Sequence, residues 1–171
     1  MYRRANVGGK IVDGQDGIAG DIATPWGWTP VADLAQGDLV RCLDAAPQAI
    51  VQTLPAHAGQ WLRLPVMALG NRREVILAQD QAVVLKSPRA VLPAAALIGW
   101  RGIAACPPPA QARHLRLTKA GVIMVGAGAF LACPGMDHHL PILPPDQARH
   151  ITACLIAYDA GCALRQAQAA C

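Results

Sequence analysis

Apolar and polar positions alternate in short stretches through most of the chain, and Gly or Pro residues separate these stretches. Between residues 21 and 40 the pattern predicts two short strands joined by a turn at residues 25–27, with another turn at Gln36-Gly37-Asp38. Apolar runs predict further strands at residues 61–67, 75–77, 83–85, 114–117 and 122–125. The pattern is typical of a mostly-β protein.

The pattern changes towards the end of the chain. Ile151, Cys154, Leu155 and Tyr158 recur at helical spacing, so one or two helices are expected there. Pro145 suits a helix start and Gly161 a helix end. We therefore predict an N-terminal extension (1–20), a β domain (21–135) and a helical tail (136–171).

Two shorter stretches have a local interpretation. Residues 91–97 predict an extended segment followed by one turn of helix. Residues 126–129 alternate Gly and Ala but lack the strand-loop-helix context of a phosphate-binding loop. A tight turn is expected at residues 126–129.

Composition restricts the function classes. The chain has 171 residues, of which 53% are hydrophobic and 15% charged, so one folded domain is expected. The net charge of +4 comes from scattered basic residues, which argues against a nucleic-acid surface. The apolar, uncharged run at residues 121–136 is too short for a membrane helix, and no secretory signal follows Met1. We expect an intracellular, cytoplasmic protein or part of a particle assembled there, without a cofactor or small-molecule substrate.

Six cysteines are spread along the chain without a C-x-x-C pair. A chain of this length does not need a disulfide scaffold to fold. Cys42, Cys106 and Cys133 are interpreted as small buried hydrophobic residues.

An ordered set of segments carries a resemblance to a known family. These segments are Ile22-Ala23-Thr24-Pro25 with Gly27, Pro30 to Leu34, Gly37 to Val40, Ala68 to Asn71 with 75–85, 91–97, 114–125 and Cys133-Pro134-Gly135. Together they resemble the sequence blocks of bacterial Hint domains, the fold of Hedgehog autoprocessing domains and inteins. The resemblance covers residues 21–135 and, weakly, the tail.

The resemblance implies a horseshoe-like, pseudo-symmetric β fold whose active members cleave themselves by an N-to-S or N-to-O acyl shift. That reaction needs a Cys, Ser or Thr nucleophile at the head of the first block. It also needs a histidine in the second block to protonate the amide nitrogen, and further polar groups late in the fold.

The chain departs from the family at all three places. The nucleophile position falls at Gln15, Asp16 or Gly17, and no Cys, Ser or Thr precedes Thr24. Gln81 stands at the histidine position, and a carboxamide cannot transfer a proton near neutral pH. Ala120 stands where many relatives have a second histidine. The resemblance therefore implies a catalytically inactive member.

Other reactive groups have a structural alternative. Cys133, His138 and His139 could begin a metal site with Asp137, His114 or His150, but the spacing is unlike that of zinc sites, and a surface loop beside a buried thiol is favoured. Thr24 could be a displaced nucleophile, but its place in a predicted hairpin favours a structural role.

Five apolar residues are candidates for binding a partner protein. Trp26 and Trp28 flank Gly27 at a predicted hairpin tip, where they either pack into the core or contact a partner. Ile151, Leu155 and Tyr158 would line the apolar side of the tail, which docks either on the β domain or on another chain.

The preferred hypothesis is a catalytically inactive Hint-like module that acts as a protein-interaction or structural subunit of a larger assembly. One alternative is an autoprocessing Hint domain that uses atypical residues. A weaker alternative is a metal-dependent enzyme centred on His138 and His139.

Overall fold

The computed structural model describes residues 6–7, 10–11, 16–43, 45–56, 59–136 and 140–170, and for the first two of these ranges the backbone only. Those residues contain fifteen strands, two 3-10 turns and one α-helix. The strands are β1 (Asn6–Val7), β2 (Lys10–Ile11), β3 (Ile18–Ala19), β4 (Asp21–Thr24), β5 (Gly27–Pro30), β6 (Leu39–Val40), β7 (Gln48–Pro55), β8 (Trp61–Leu64), β9 (Val75–Ala78), β10 (Ala82–Lys86), β11 (Arg89–Pro93), β12 (Ala104–Cys106), β13 (Arg113–Leu117), β14 (Gly121–Val125) and β15 (Ala129–Cys133). The 3-10 turns are Val31–Asp33 and Ala94–Leu97, and the helix α1 is Pro145–Ala169.

The strands form two large antiparallel sheets and a separate β1-β2 pair. The six-stranded sheet has the order β11-β10-β15-β14-β4-β5. The seven-stranded sheet has the order β12-β8-β9-β3-β13-β7-β6. The mostly-β prediction with a C-terminal helix is therefore confirmed.

The seven-stranded sheet begins earlier in the chain than predicted. β3 pairs with β9 through Ile18↔Leu77 and with β13 through Ile18↔Arg113. Residues 18–19 are thus a central part of the β body, although the sequence pattern placed them in an N-terminal extension. The motif that defined the predicted boundary starts only at β4, and β3 is too short to show a period of its own.

The first hairpin is formed as predicted. β4 and β5 pair from Asp21↔Pro30 to Thr24↔Gly27, and Pro25 and Trp26 form the turn. The Thr24 hydroxyl donates to the Gly27 carbonyl at 2.8 Å and accepts from the Trp26 amide at 3.3 Å. Gly27 has a φ of 131°, which residues with a side chain rarely adopt. Thr24 therefore has the structural role expected for it.

One hydrophobic core lies between the sheets. Strand residues of both sheets contribute its fully buried side chains, among them Ile22, Val40, Leu62, Leu77, Leu92, Leu117, Ile123 and Leu131. Each such side chain contributes about 1.5–3 kcal/mol relative to leaving it exposed. A smaller cluster of Ala56, Trp61, Ala78 and Ala112 lies beside the start of β3. This smaller cluster surrounds Gly17, directly before β3.

Helix α1 is a single continuous helix. Pro145 occupies its first turn, as expected, but the helix runs past Gly161 to Ala169, so the predicted end at Gly161 is wrong. An isolated glycine weakens a helix by only about 1 kcal/mol, and the alanine-rich sequence after it continues the helix. The preceding segment lies along the sheet edge, where the Leu143 amide donates to the Val91 carbonyl of β11 at 2.8 Å. Within the described residues, no helix combines the length and the hydropathy needed to cross a membrane.

Candidate functional site

Asp16 and Gly17 lie directly before β3, at the predicted nucleophile position. Gly17 is buried, and its carbonyl accepts from the Ala78 amide at 2.9 Å. A Cβ atom on Gly17 would lie 2.5 Å from the ring of Trp61, so a side chain there requires the ring to move. Gln15 lies outside the described residues. Neither described residue at this position carries a thiol or hydroxyl group.

Gln81 lies directly before β10 with 2% of its surface exposed. The β10-β15 pairing runs through Val84↔Phe130 and Val83↔Leu131. The next carbonyl of β15, that of Ala132, instead accepts a 3.1 Å hydrogen bond from the Gln81 side-chain amide. The same amide lies 3.3 Å from the Ala82 carbonyl. The Gln81 side chain thus extends the sheet by one hydrogen bond and has no ionisable proton.

Ala120 lies in the turn between β13 and β14 and is half-buried. It precedes Gly121, which pairs with Cys133 at the end of β15. Its amide nitrogen is packed against Gly135, where a Cβ atom would clash with it. The third predicted position therefore borders Cys133, but its methyl group has no acid-base chemistry.

The structure also brings together two residues that the sequence pattern did not pair. His114 on β13 is 4% exposed, and its Nδ1 lies 3.7 Å from Oδ2 of Asp16. Among the described residues neither ring nitrogen of His114 has a hydrogen-bond partner. His114 is one of three basic residues among the five of β13, so the sequence pattern gave no sign that its imidazole is buried. Its carboxylate neighbour became evident only from the pairing of β13 with β3.

Cys133 is the buried thiol of this region. Burial raises its pKa most, and the nearby charges of Asp16 and then Cys42 raise it further. Since the thiolate is the nucleophilic form, Cys133 stays protonated and unreactive at neutral pH. The prediction that Cys133 is a buried hydrophobic residue is confirmed, whereas Cys42 and Cys106 are only partly buried.

The structure describes three of the six residues considered for a metal site around Cys133. Asp137, His138 and His139 lie outside the described residues. Of the other members, Cys133 lies in the core, His114 lies beside Asp16, and His150 lies on the exposed side of α1. The described part of the chain contains no group of three His, Cys, Asp or Glu side chains that could hold a metal ion.

The tryptophans at the hairpin tip face outward. Trp26 is 79% exposed and Trp28 is 38% exposed, so core packing does not explain Trp26. The Arg41 guanidinium lies against the same turn, with its Nη2 3.4 Å from the Pro25 carbonyl. Trp and Arg are the residue types enriched in the energetically dominant parts of protein interfaces.

Part of the tail surface docks on the β domain, which is one of the two alternatives expected for it. Ile151 and Leu155 are half-buried and pack against the core of the β body. The helix docks on its own chain because these two side chains would otherwise expose apolar surface to water. They are therefore part of an internal contact, while Tyr158 remains 66% exposed.

Comparison with known proteins supports the expected fold. No protein-family model and no curated protein sequence matches the chain. Among solved structures, it is similar to a bacterial intein-like domain from Clostridium thermocellum, with a TM-score of 0.51 and 12% sequence identity over 70% of this chain and 99% of that one. A crystal structure of the MchDnaB-1 intein (N145AA) gives a TM-score of 0.49 and 14% identity over 68% of this chain and 99% of that one.

The molecule therefore has a Hint-type fold, the fold of intein-like domains. At 12% identity this likeness defines the fold and leaves the chemistry to be argued from the side chains.

Proposed function

We propose that this chain is a Hint-fold module that does not cleave itself and that acts as a protein-interaction or structural subunit of a larger assembly. The observation that carries the proposal is the side chain of Gln81. At the position expected to hold the proton donor, a buried carboxamide is bound to a sheet carbonyl. It therefore acts as a structural group where active members need an acid.

The other positions support the same function. The space at Gly17 is filled by the Trp61 ring, and Ala120 offers only a methyl group. The buried thiol nearby, Cys133, is held in its protonated form. A general acid contributes about 10²–10⁴ in rate, but without an attacking atom the acyl shift has no first step.

The interaction role is supported by the Trp26 side chain. A large aromatic ring that is 79% exposed stabilises the isolated fold little, yet it offers extensive contact area to a partner. Arg41 beside the same turn adds a charged donor. We propose that a protein partner covers this tip, inside the cell or in a particle assembled there.

A double variant tests the interaction role. Trp26→Ala with Trp28→Ala removes both rings, and we expect it to lose the partner recovered with the wild-type chain from its native lysate. Each interface tryptophan lost costs about 2 kcal/mol or more, which is about thirtyfold in affinity, so the loss of both corresponds to a decrease on the order of a thousandfold. Co-purification followed by affinity measurement checks this result. Val66→Ala removes an exposed apolar side chain from another loop and is the control. Equal recovery with the wild-type and double-variant chains would contradict the interaction role.

The alternative function is autoprocessing with atypical residues. One observation favours it, namely the buried imidazole of His114 beside Asp16, directly before Gly17. An imidazole near a carboxylate is a common acid-base arrangement. However, no described thiol or hydroxyl group hydrogen-bonds to His114, so the pair has no nucleophile to activate. The non-cleaving function is therefore the better supported of the two.

A further inference from the structure

The exposed side of helix α1 carries a histidine and a cysteine one turn apart. His150 and Cys154 are both exposed, and they are four residues apart, so their side chains lie on the same face. The Sγ atom of Cys154 lies 3.8 Å from Nε2 of His150. This pair is outside the Asp16–His114 region and has no part in the proposed interaction.

The distance between these two atoms fits a shared metal ion. With zinc-sulfur and zinc-nitrogen distances of about 2.3 and 2.0–2.1 Å and a tetrahedral angle, the two ligand atoms lie about 3.6 Å apart. The observed separation is 3.8 Å, so a small side-chain rotation brings both atoms into coordination. Two ligands four residues apart on a helix are also the arrangement by which the helix of H-E-x-x-H proteins holds zinc.

We propose that His150 and Cys154 form an open, two-ligand binding site for a borderline-soft divalent cation such as Zn²⁺. Imidazole and thiolate together favour this class of ion over Mg²⁺ or Ca²⁺, which prefer oxygen ligands. Binding converts the Cys154 thiol to a thiolate and releases its proton to solvent, with no change of oxidation state.

The surroundings of the pair are compatible with a cation. Asp146 lies one turn before His150 and lines the same shallow depression beside Leu143. The negative charge of this carboxylate makes a positive ion more favourable in that depression. Since no three described side chains form a metal cluster, water completes the coordination sphere.

Cobalt titration of the full chain tests this site. Co²⁺ is added to metal-free protein kept reduced with a phosphine, and thiolate-to-cobalt charge-transfer absorption is recorded. We expect saturation at one ion per chain and no such absorption in Cys154→Ser. Loss of an outer-shell partner of a metal ligand weakens metal binding by about 10–100-fold. His150→Ala removes a direct ligand, so it should weaken binding by at least that much.

Cys162→Ser is the matched control. Cys162 lies two turns further along the same helix, but its Sγ accepts a 3.2 Å hydrogen bond from Arg165, whose positive charge disfavours a cation. This variant should bind cobalt like the wild type. Charge-transfer absorption that persists in Cys154→Ser, an unchanged affinity in His150→Ala, or an equal loss in Cys162→Ser would overturn the proposal. All three substitutions replace side chains on one helix that spans 25 residues, so helical circular dichroism confirms that each variant is folded.

Discussion

Gln81 has a structural role at the position where the resemblance to Hint domains leads us to expect a histidine. A histidine there would place an ionisable ring beside the end of β15, whereas the glutamine amide donates to the Ala132 carbonyl and lengthens the β10-β15 pairing. The glutamine has no ionisable proton, and its amide supplies a hydrogen bond that the sheet uses. The hydrogen bond that this side chain makes to the sheet is therefore separable from proton transfer.

Replacing Gln81 by Leu should destabilise the protein. The leucine fills most of the volume but leaves the Ala132 carbonyl without its side-chain donor in a buried site. An unsatisfied buried polar group costs about 1–3 kcal/mol. Urea denaturation should show this loss of unfolding free energy, and Gln36→Leu at an exposed turn should change it much less. A stability equal to the wild type would show that the amide bond is not needed.

The expected reactive positions came from the resemblance to Hint domains, whose sequence blocks are local motifs. That resemblance placed them at Gln81 and Ala120, and these side chains exclude proton transfer. The contact between His114 and Asp16 could not be located, since nearly one hundred residues separate them and only the pairing of β3 with β13 unites them. The exposure of Trp26 was also undecided, because the same hairpin permits either orientation relative to the rest of the molecule.

Helix α1 is anchored to the β body by one polar cluster as well as by apolar contacts. Both oxygens of Asp159 accept hydrogen bonds from Arg101, at 2.7 and 3.0 Å. The indole nitrogen of Trp100 donates to the same carboxylate at 2.9 Å. The Arg101 hydrogen bonds, followed by that from Trp100, lower the pKa of Asp159. The first half of the helix is thus held against the 3-10 turn region, while the residues after Asp159 are mostly exposed.

The anchoring of α1 should weaken in acid. A carboxyl group with a lowered pKa stabilises the folded state above its ordinary value of about 3.9, and this contribution is lost as the pH falls through the lowered value. We expect hydrogen-exchange protection factors around Asp159 and Trp100 to fall between about pH 4 and the lower pKa. Asp159→Asn should lose this pH dependence, and Asp146→Asn on the same helix should keep it. The same acid response in Asp159→Asn and the wild type would rule out this anchor.

Elements with strong local signals were predicted, and elements without them were missed. The β4-β5 hairpin and the 3-10 turn after β11 follow from Pro and Gly placement. β15 was missed because all five of its residues are buried, so it shows no alternation of apolar and polar positions. β7 was missed for the opposite reason, since only Ile50 among its eight residues is fully buried.

The whole molecule combines two antiparallel sheets around one core, and that arrangement matches an intein-like domain at 12% identity. Two chains with so few identical residues can share a fold because the turns and the apolar pattern specify the sheets, while many individual side chains are exchangeable. The groups that self-cleavage needs are few, so this fold is compatible with the non-cleaving function that we propose.

Intact-mass spectrometry of the full chain distinguishes the non-cleaving function from the alternative. The purified protein is incubated at neutral pH with and without dithiothreitol or hydroxylamine, reagents that release a chain held as a thioester or ester. We expect a single species with the mass of all 171 residues under every condition. A fragment produced by cleavage next to Asp16, and absent when His114 is replaced by alanine, would contradict the non-cleaving function.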